Sequence, residues 1–287
     1  MRTLSNSWDL VKASYAVLRA DRELLVFPFI SMVGMIIMAL VFSIPLFLSG
    51  VFNTASQGDS LSDSQKVLGY VLLFLFYLAT YTIVIYSNVA LVGAAMIRLR
   101  GGDPTASDGF RIAAAHLPQI VGYATIAATV GVALSLIRDR GGVVGRIAAG
   151  LLGFAWNIVT FLVVPVLVVE NVGPVEAIKR SGGLLRRTWG EQLVANAGIG
   201  AIFFIIGFGV VLVVGVPLFL LAVAASSVAL MILAVFVTIL LVAFLSLFGS
   251  ALSSIFQAAL YMYATTGDPG SYFDRNLIAG AFRAKRA

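Results

Sequence analysis

The sequence contains no cysteine and a single histidine, His116, in 287 residues. Disulfides, thiolate metal sites and cysteine nucleophiles are thereby excluded, and no histidine-based metal cluster can be assembled. Charge is also scarce: Asp, Glu, Lys and Arg make up 11% of the chain, where a soluble domain carries about a quarter. No Walker loop or dinucleotide fingerprint occurs, so no cofactor is expected. What fills the chain instead is apolar. Hydrophobic residues make up 60% of it, and the mean hydropathy is +1.03. A surface drawn from this composition would not stay dissolved. The chain is therefore expected to be one integral membrane domain, residues 1–287. The first 22 residues carry Arg2, Asp9, Lys12, Arg19, Asp21 and Arg22, too many charges for the apolar core of a cleavable signal.

A helix needs about 20 apolar residues to cross the hydrocarbon of a bilayer. Six runs meet that length, near 24–52, 67–97, 117–137, 147–169, 193–215 and 228–263. The expected fold class is all-α, a polytopic transmembrane helical bundle of about six spans. No charged residue occurs between Glu191 and Asp268. Two spans fit that interval, with a break near Pro217–Ser227 and with 216–225 interfacial or re-entrant.

Orientation follows Lys and Arg in short loops. Of the 19 basic residues, four (Lys66, Arg138, Arg140 and Arg146) lie on one side of this topology and the rest on the other. Both termini are thus expected in the cytoplasm, with the chain in the plasma (inner) membrane of a prokaryote. The three arginines at 138–146 either snorkel to lipid phosphates or form an anion-attracting mouth. Basic residues at the ends of apolar runs favour lipid head groups over nucleic acid as the partner.

Three segments on the basic side begin with similar signals: Gly102-Asp103-Pro104, Gly173-Pro174 and Gly267-Asp268-Pro269. Proline at a first helical position predicts a helix start at each. The 174–189 helix is expected to be amphipathic, with Val175, Ile178, Leu185 and Trp189 on one face. Its other face pairs Glu176 with Arg180 and Arg187 with Glu191. The N-terminal helix is expected to turn Leu4, Trp8, Val11, Tyr15 and Leu18 to one side, with Asp9, Lys12 and Arg19 facing away. Such helices lie in the membrane interface, here the cytoplasmic one. Lys179, Arg180, Arg186 and Arg187 are the candidate contacts for anionic lipid head groups. An interfacial helix followed by a helical hairpin, three times over, predicts a three-fold parallel repeat.

Small residues recur on one face of several spans, as Ser246, Ser250, Ser254 and Ala258 do, and predict close helix packing. No Asp, Glu, Lys, Arg or His falls within a span, which counts against ion coupling, proton relays and voltage sensing. The polar groups at depth are Asn88, Asn157 and Thr160. Pro165, which removes a backbone donor, is expected to break the fourth span beside them, ahead of Glu170. These five residues form the candidate intramembrane site. They either make interhelical hydrogen bonds or line a substrate cavity. Glu170 is expected to pair with Arg98 or Arg180.

The segments SWDLVKASYAVLRADRELLVFPFIS, VVPVLVVENVGPVEAIKRSGGLLRRTWG and ALYMYATTGDPGSYFDRNLIAGAF resemble a prokaryotic membrane family catalogued as a domain of unknown function. The second segment, with Pro165, Glu170, Ala177, Lys179 and Ser181, is also similar to the membrane domain attached to some glycerophosphoryl diester phosphodiesterases. That likeness implies a six-span helical fold and no phosphodiesterase activity, which belongs to a separate soluble barrel. The leading expectation is a non-catalytic component that organises membrane lipids or protein partners, a second copy of the chain included. The alternative is a channel or carrier for a small neutral or anionic solute or a lipid. A third class, an intramembrane enzyme, would require Glu170, His116 and Arg98 to converge, and the chain is expected not to be an enzyme.

Overall fold

The computed structural model describes residues 2–50, 62–189 and 199–279, which are helical almost throughout and contain no strand. The helices are α1 (Arg2–Ala20), α2 (Val26–Leu48), α3 (Asp63–Leu99), α4 (Ala106–Ala115), α5 (Leu117–Arg140), α6 (Gly142–Val159) and α7 (Val163–Glu170). They continue as α8 (Pro174–Trp189), α9 (Ile199–Val210), α10 (Val216–Ala224), α11 (Val228–Thr266) and α12 (Arg275–Ala279). Among the described residues, six helical stretches are long and apolar enough to cross a bilayer: Arg22–Leu48, Asp63–Leu99, Leu117–Arg140, Gly142–Glu170, Phe203–Ala224 and Val228–Thr266.

The fifth stretch departs from expectation. Residues 216–225 do not leave the span. A π-helical turn at Val211–Gly215 joins α9 to α10, and the chain stays helical to Ala224. Pro217 sits in the first turn of α10, directly after the wide turn. Its ring would crowd the carbonyl four residues back in a regular α-helix, and the π turn relieves that crowding. The break comes instead at the serine pair. Ser226 adopts φ 50°, and the Ser227 hydroxyl accepts the Leu230 N–H to cap α11.

The residues form two compact units, one of Met1–Leu25, Ala94–Pro104 and Arg186–Ala287, the other of Val26–Gly93 and Thr105–Leu185. In this second, central unit the rings of Phe27 and Phe110 meet edge to face, with centroids 5.0 Å apart. Helix α4 presses so closely here that a Cβ on Gly109 would strike the Phe27 ring and the Ala90 carbonyl. Helices α5 and α6 form a hairpin whose turn, Gly141–Gly142, has φ +56° at Gly142. A side chain on Gly145 would collide with the Ile137 carbonyl.

In the terminal unit, α1 packs on α9 and α11. The buried face of α1 is Leu10, Val11, Ser14, Val17 and Leu18, while Trp8 and Tyr15 are exposed. Periodicity had grouped those two aromatics with the apolar face. The helix is rotated so that aliphatic and small residues meet the bundle and the two amphipathic rings stay outside; Leu4 lies outside the residues whose side chains are described.

The three proline signals also diverge. Pro174 opens α8 as expected. At the first signal the N-cap is Thr105, and α4 starts one residue later. At the third, residues 268–274 form a turn, and the α12 N-terminus is capped by Asp274, which accepts from the N–H groups of Asn276 and Leu277.

Candidate functional site

The fourth span is broken, as Pro165 predicts, but at Thr160–Leu162, ahead of the proline. Pro165 is the third residue of α7, where a missing N–H costs nothing, since the first helical N–H groups have no intrahelical partner anyway. The proline therefore restarts the helix. The donor exposed by the break is the Leu162 N–H, and the buried Ser181 Oγ of α8 accepts it at 3.0 Å. Thr160 donates its hydroxyl to the Trp156 carbonyl at 2.7 Å.

The candidate intramembrane residues are therefore dispersed. Pro165 is fully enclosed, Asn88 and Thr160 are half-buried, and Asn157 is exposed. Among the described residues neither Asn88 nor Asn157 makes a side-chain hydrogen bond to the other or to Thr160. Ser181 is the partner that sequence reasoning missed, because the acceptor for the break comes from a different helix.

Glu170 ends α7. Asn171 then takes the left-handed conformation, at φ 47° and ψ 40°, and turns the chain toward α8. The Asn171 side chain accepts from Gln119 Nε2 at 3.0 Å. Glu170 Oε2 accepts from Arg180 Nε at 2.9 Å, which places it with Arg180 rather than Arg98.

Helix α8 has two distinct faces. Ala177, Ser181 and Leu185, four residues apart, are buried. Lys179, Arg180, Arg186 and Arg187 are exposed. Val175, expected on the apolar side, is exposed as well, and Glu191 lies outside the described residues. Among the described residues no carboxylate stands within ion-pair distance of Lys179, Arg186 or Arg187.

Several other charged groups have partners of their own. The Arg98 guanidinium donates through Nε and Nη2 to the Asp21 carboxylate, the Nη2 bond being 2.8 Å, and also contacts Asp103. Asp21 is buried, and these charge-assisted bonds hold it. The His116 ring contacts the Ile112 carbonyl through Nδ1 at 2.8 Å, so that nitrogen carries the proton and donates. Arg138 donates to Ser135 and Asp139, and Arg146 to the Gly142 carbonyl. No group of three or more acidic or histidine side chains among the described residues is placed to hold a metal.

Residues 67–271 match the model of DUF6159, a family of unknown function. The chain belongs to this family. The DUF6159 match runs from the second turn of the second span past the end of the sixth, and it contains both the broken fourth span and α8. No curated protein matches the chain. With its six apolar helices, this DUF6159 member is a multi-span membrane protein.

Proposed function

We propose that this protein is a non-catalytic membrane component that gathers anionic lipids, and through them or beside them protein partners, at its basic face. The observation that carries this reading is α8. Ala177, Ser181 and Leu185 are buried along one side, and four cations stand exposed on the remainder of the helix. A basic residue close to an anionic bilayer gains about 1 kcal/mol, so four together give a strong preference for anionic head groups. Amphipathic helices of this kind lie in the plane of the interface, and the excess of Lys and Arg supports a cytoplasmic location for this face.

The solute-carrier reading draws on the broken fourth span. Broken helices line transport sites when their freed backbone groups face a cavity. Here the freed Leu162 N–H is taken by Ser181 within the protein. That satisfies the break without a substrate and favours the first reading. Native mass spectrometry of the gently extracted protein tests it. An anionic lipid class should be retained, and it should be lost when Lys179, Arg180, Arg186 and Arg187 are changed together to glutamine. Equal retention of anionic and zwitterionic lipids by the unaltered protein, together with solute flux in liposomes that fails in Thr160→Ala, would replace it with the carrier.

A further inference from the structure

We infer that the groove between α2 and α3 seats one acyl chain of an anionic phospholipid, with the lipid phosphate on Lys66. The site is distinct from α8 and does not depend on it. The two helices are close where Ile83 lies against Gly34, a position at which a Cβ would come within 2.8 Å of the Ile83 side chain. Phe42 and Phe76 still touch edge to face, with centroids 5.7 Å apart. Alongside and beyond that contact lies a groove of about 530 Å³.

Its lining is graded. Phe42, Leu72, Leu73 and Phe76 form the apolar walls, and Gln65 and Lys66 stand at one end. From Lys66 to Phe76 the helix rises about 15 Å. That is half of the roughly 30 Å hydrocarbon thickness, the depth of one leaflet. The groove thus has the length of a single leaflet's chain, a hydrocarbon lining over that length, and a cation at the level of the head groups.

Lys66 is half-exposed and has three N–H donors, one of which goes to the nearly fully exposed Asp63 at 2.9 Å. The others are directed by the side chain's own flexibility toward whatever anion sits at the mouth. A transmembrane helix of a partner would fit poorly. It would lay apolar side chains over Lys66 and Gln65 and strand their donors. A phospholipid satisfies both ends of the gradient.

The test is native mass spectrometry of the full chain released from nanodiscs containing equal phosphatidylglycerol and phosphatidylcholine. One tightly held phosphatidylglycerol is expected. Lys66→Gln should lower its preference over phosphatidylcholine about fivefold, the loss of one basic contact at the surface. Asp63→Asn, which frees the ammonium, should raise that preference. Gly69 lines the groove, and nothing lies within 4 Å of where its Cβ would stand. Gly69→Trp should therefore fill the groove and expel the lipid while thermal unfolding stays that of the unaltered protein. The fourfold glutamine variant of α8 should keep this lipid, which separates the two proposals. Retention of the lipid at the original ratio in Lys66→Gln and Asp63→Asn would overturn the inference, as would a tightly held free fatty acid or a second copy of the chain in its place.

Discussion

Ser181 shows how one hydroxyl decides whether a broken span is tolerable. A backbone N–H facing hydrocarbon without an acceptor costs several kcal/mol, which is why irregular backbone at membrane depth survives only inside protein. Ser181 Oγ is the acceptor for Leu162. Ser181→Ala should therefore lower stability by about 1–3 kcal/mol, the penalty for leaving a buried donor unmade. Thermal unfolding in micelles measures it, and Asn157→Ala on the exposed face of α6 serves as the comparison, expected within about 0.5 kcal/mol of the parent. At this scale the sequence is only partly readable. Pro165 marks the break within a few residues, because a proline's missing donor is a local property. The hydroxyl that repairs it comes from a different helix, and nothing in the spacing of Ser181 announces the partnership. Its one signal is a polar residue in register with Ala177 and Leu185.

Among the elements, α4 carries a pH-sensitive start. Thr105 and Asp108 form a reciprocal capping box. The Asp108 carboxylate accepts from the Thr105 N–H and the Thr105 hydroxyl, and it pairs with Arg111. These contacts, the Thr105 N–H first, hold its pKa below the usual aspartate range. A group whose pKa is depressed on folding contributes stability above its unfolded value and loses that contribution as the pH falls through the folded one. The cap should be whole at neutral pH and should open only in acid below the ordinary aspartate range. Hydrogen exchange at the Thr105 amide, corrected for intrinsic rate, should show protection falling over that interval. In Asp108→Asn the dependence should disappear.

The elements are also where sequence reasoning is strongest and where its errors are instructive. Six apolar stretches are visible because hydrocarbon thickness dictates a run length, and the described residues contain six such helices. The fate of 216–225 was hidden because proline ordinarily ends a helix, and a π turn is written in no residue type. The face of α1 was misjudged because Trp8 and Tyr15 count as apolar in any periodicity, although their rings carry polar atoms that favour an exposed position.

For the molecule as a whole, the terminal unit is held by a junction of three distant stretches. Asp21 follows α1, Arg98 lies in the last turn of α3, and the Ser271 N–H reaches the Leu99 carbonyl at 3.3 Å. Gly270 lies there at φ +90°, and a Cβ on it would stand 2.7 Å from that same carbonyl. Removing one partner of a buried ion pair leaves a stranded charge, at a cost of about 3–5 kcal/mol. Arg98→Ala, which strands the buried Asp21, should lose that much, whereas Asp103→Ala, at the exposed contact, should lose under about 1 kcal/mol. A double-mutant cycle of Asp21 and Arg98 in thermal unfolding should return a coupling well above that of Asp103 and Arg98. The sequence shows these charges but not their meeting, since ion pairs between distant stretches leave no periodic trace.

That junction also dictates an order of events on the ribosome. Every residue of the central unit has been synthesised once Leu185 is made, so its helices can settle while translation continues. The terminal unit has no such freedom. Helix α1 waits, its buried face without the α11 surface it needs, until the chain has grown past Ser271. Release from the ribosome before that point would leave α1 as the part most open to chaperones and proteases.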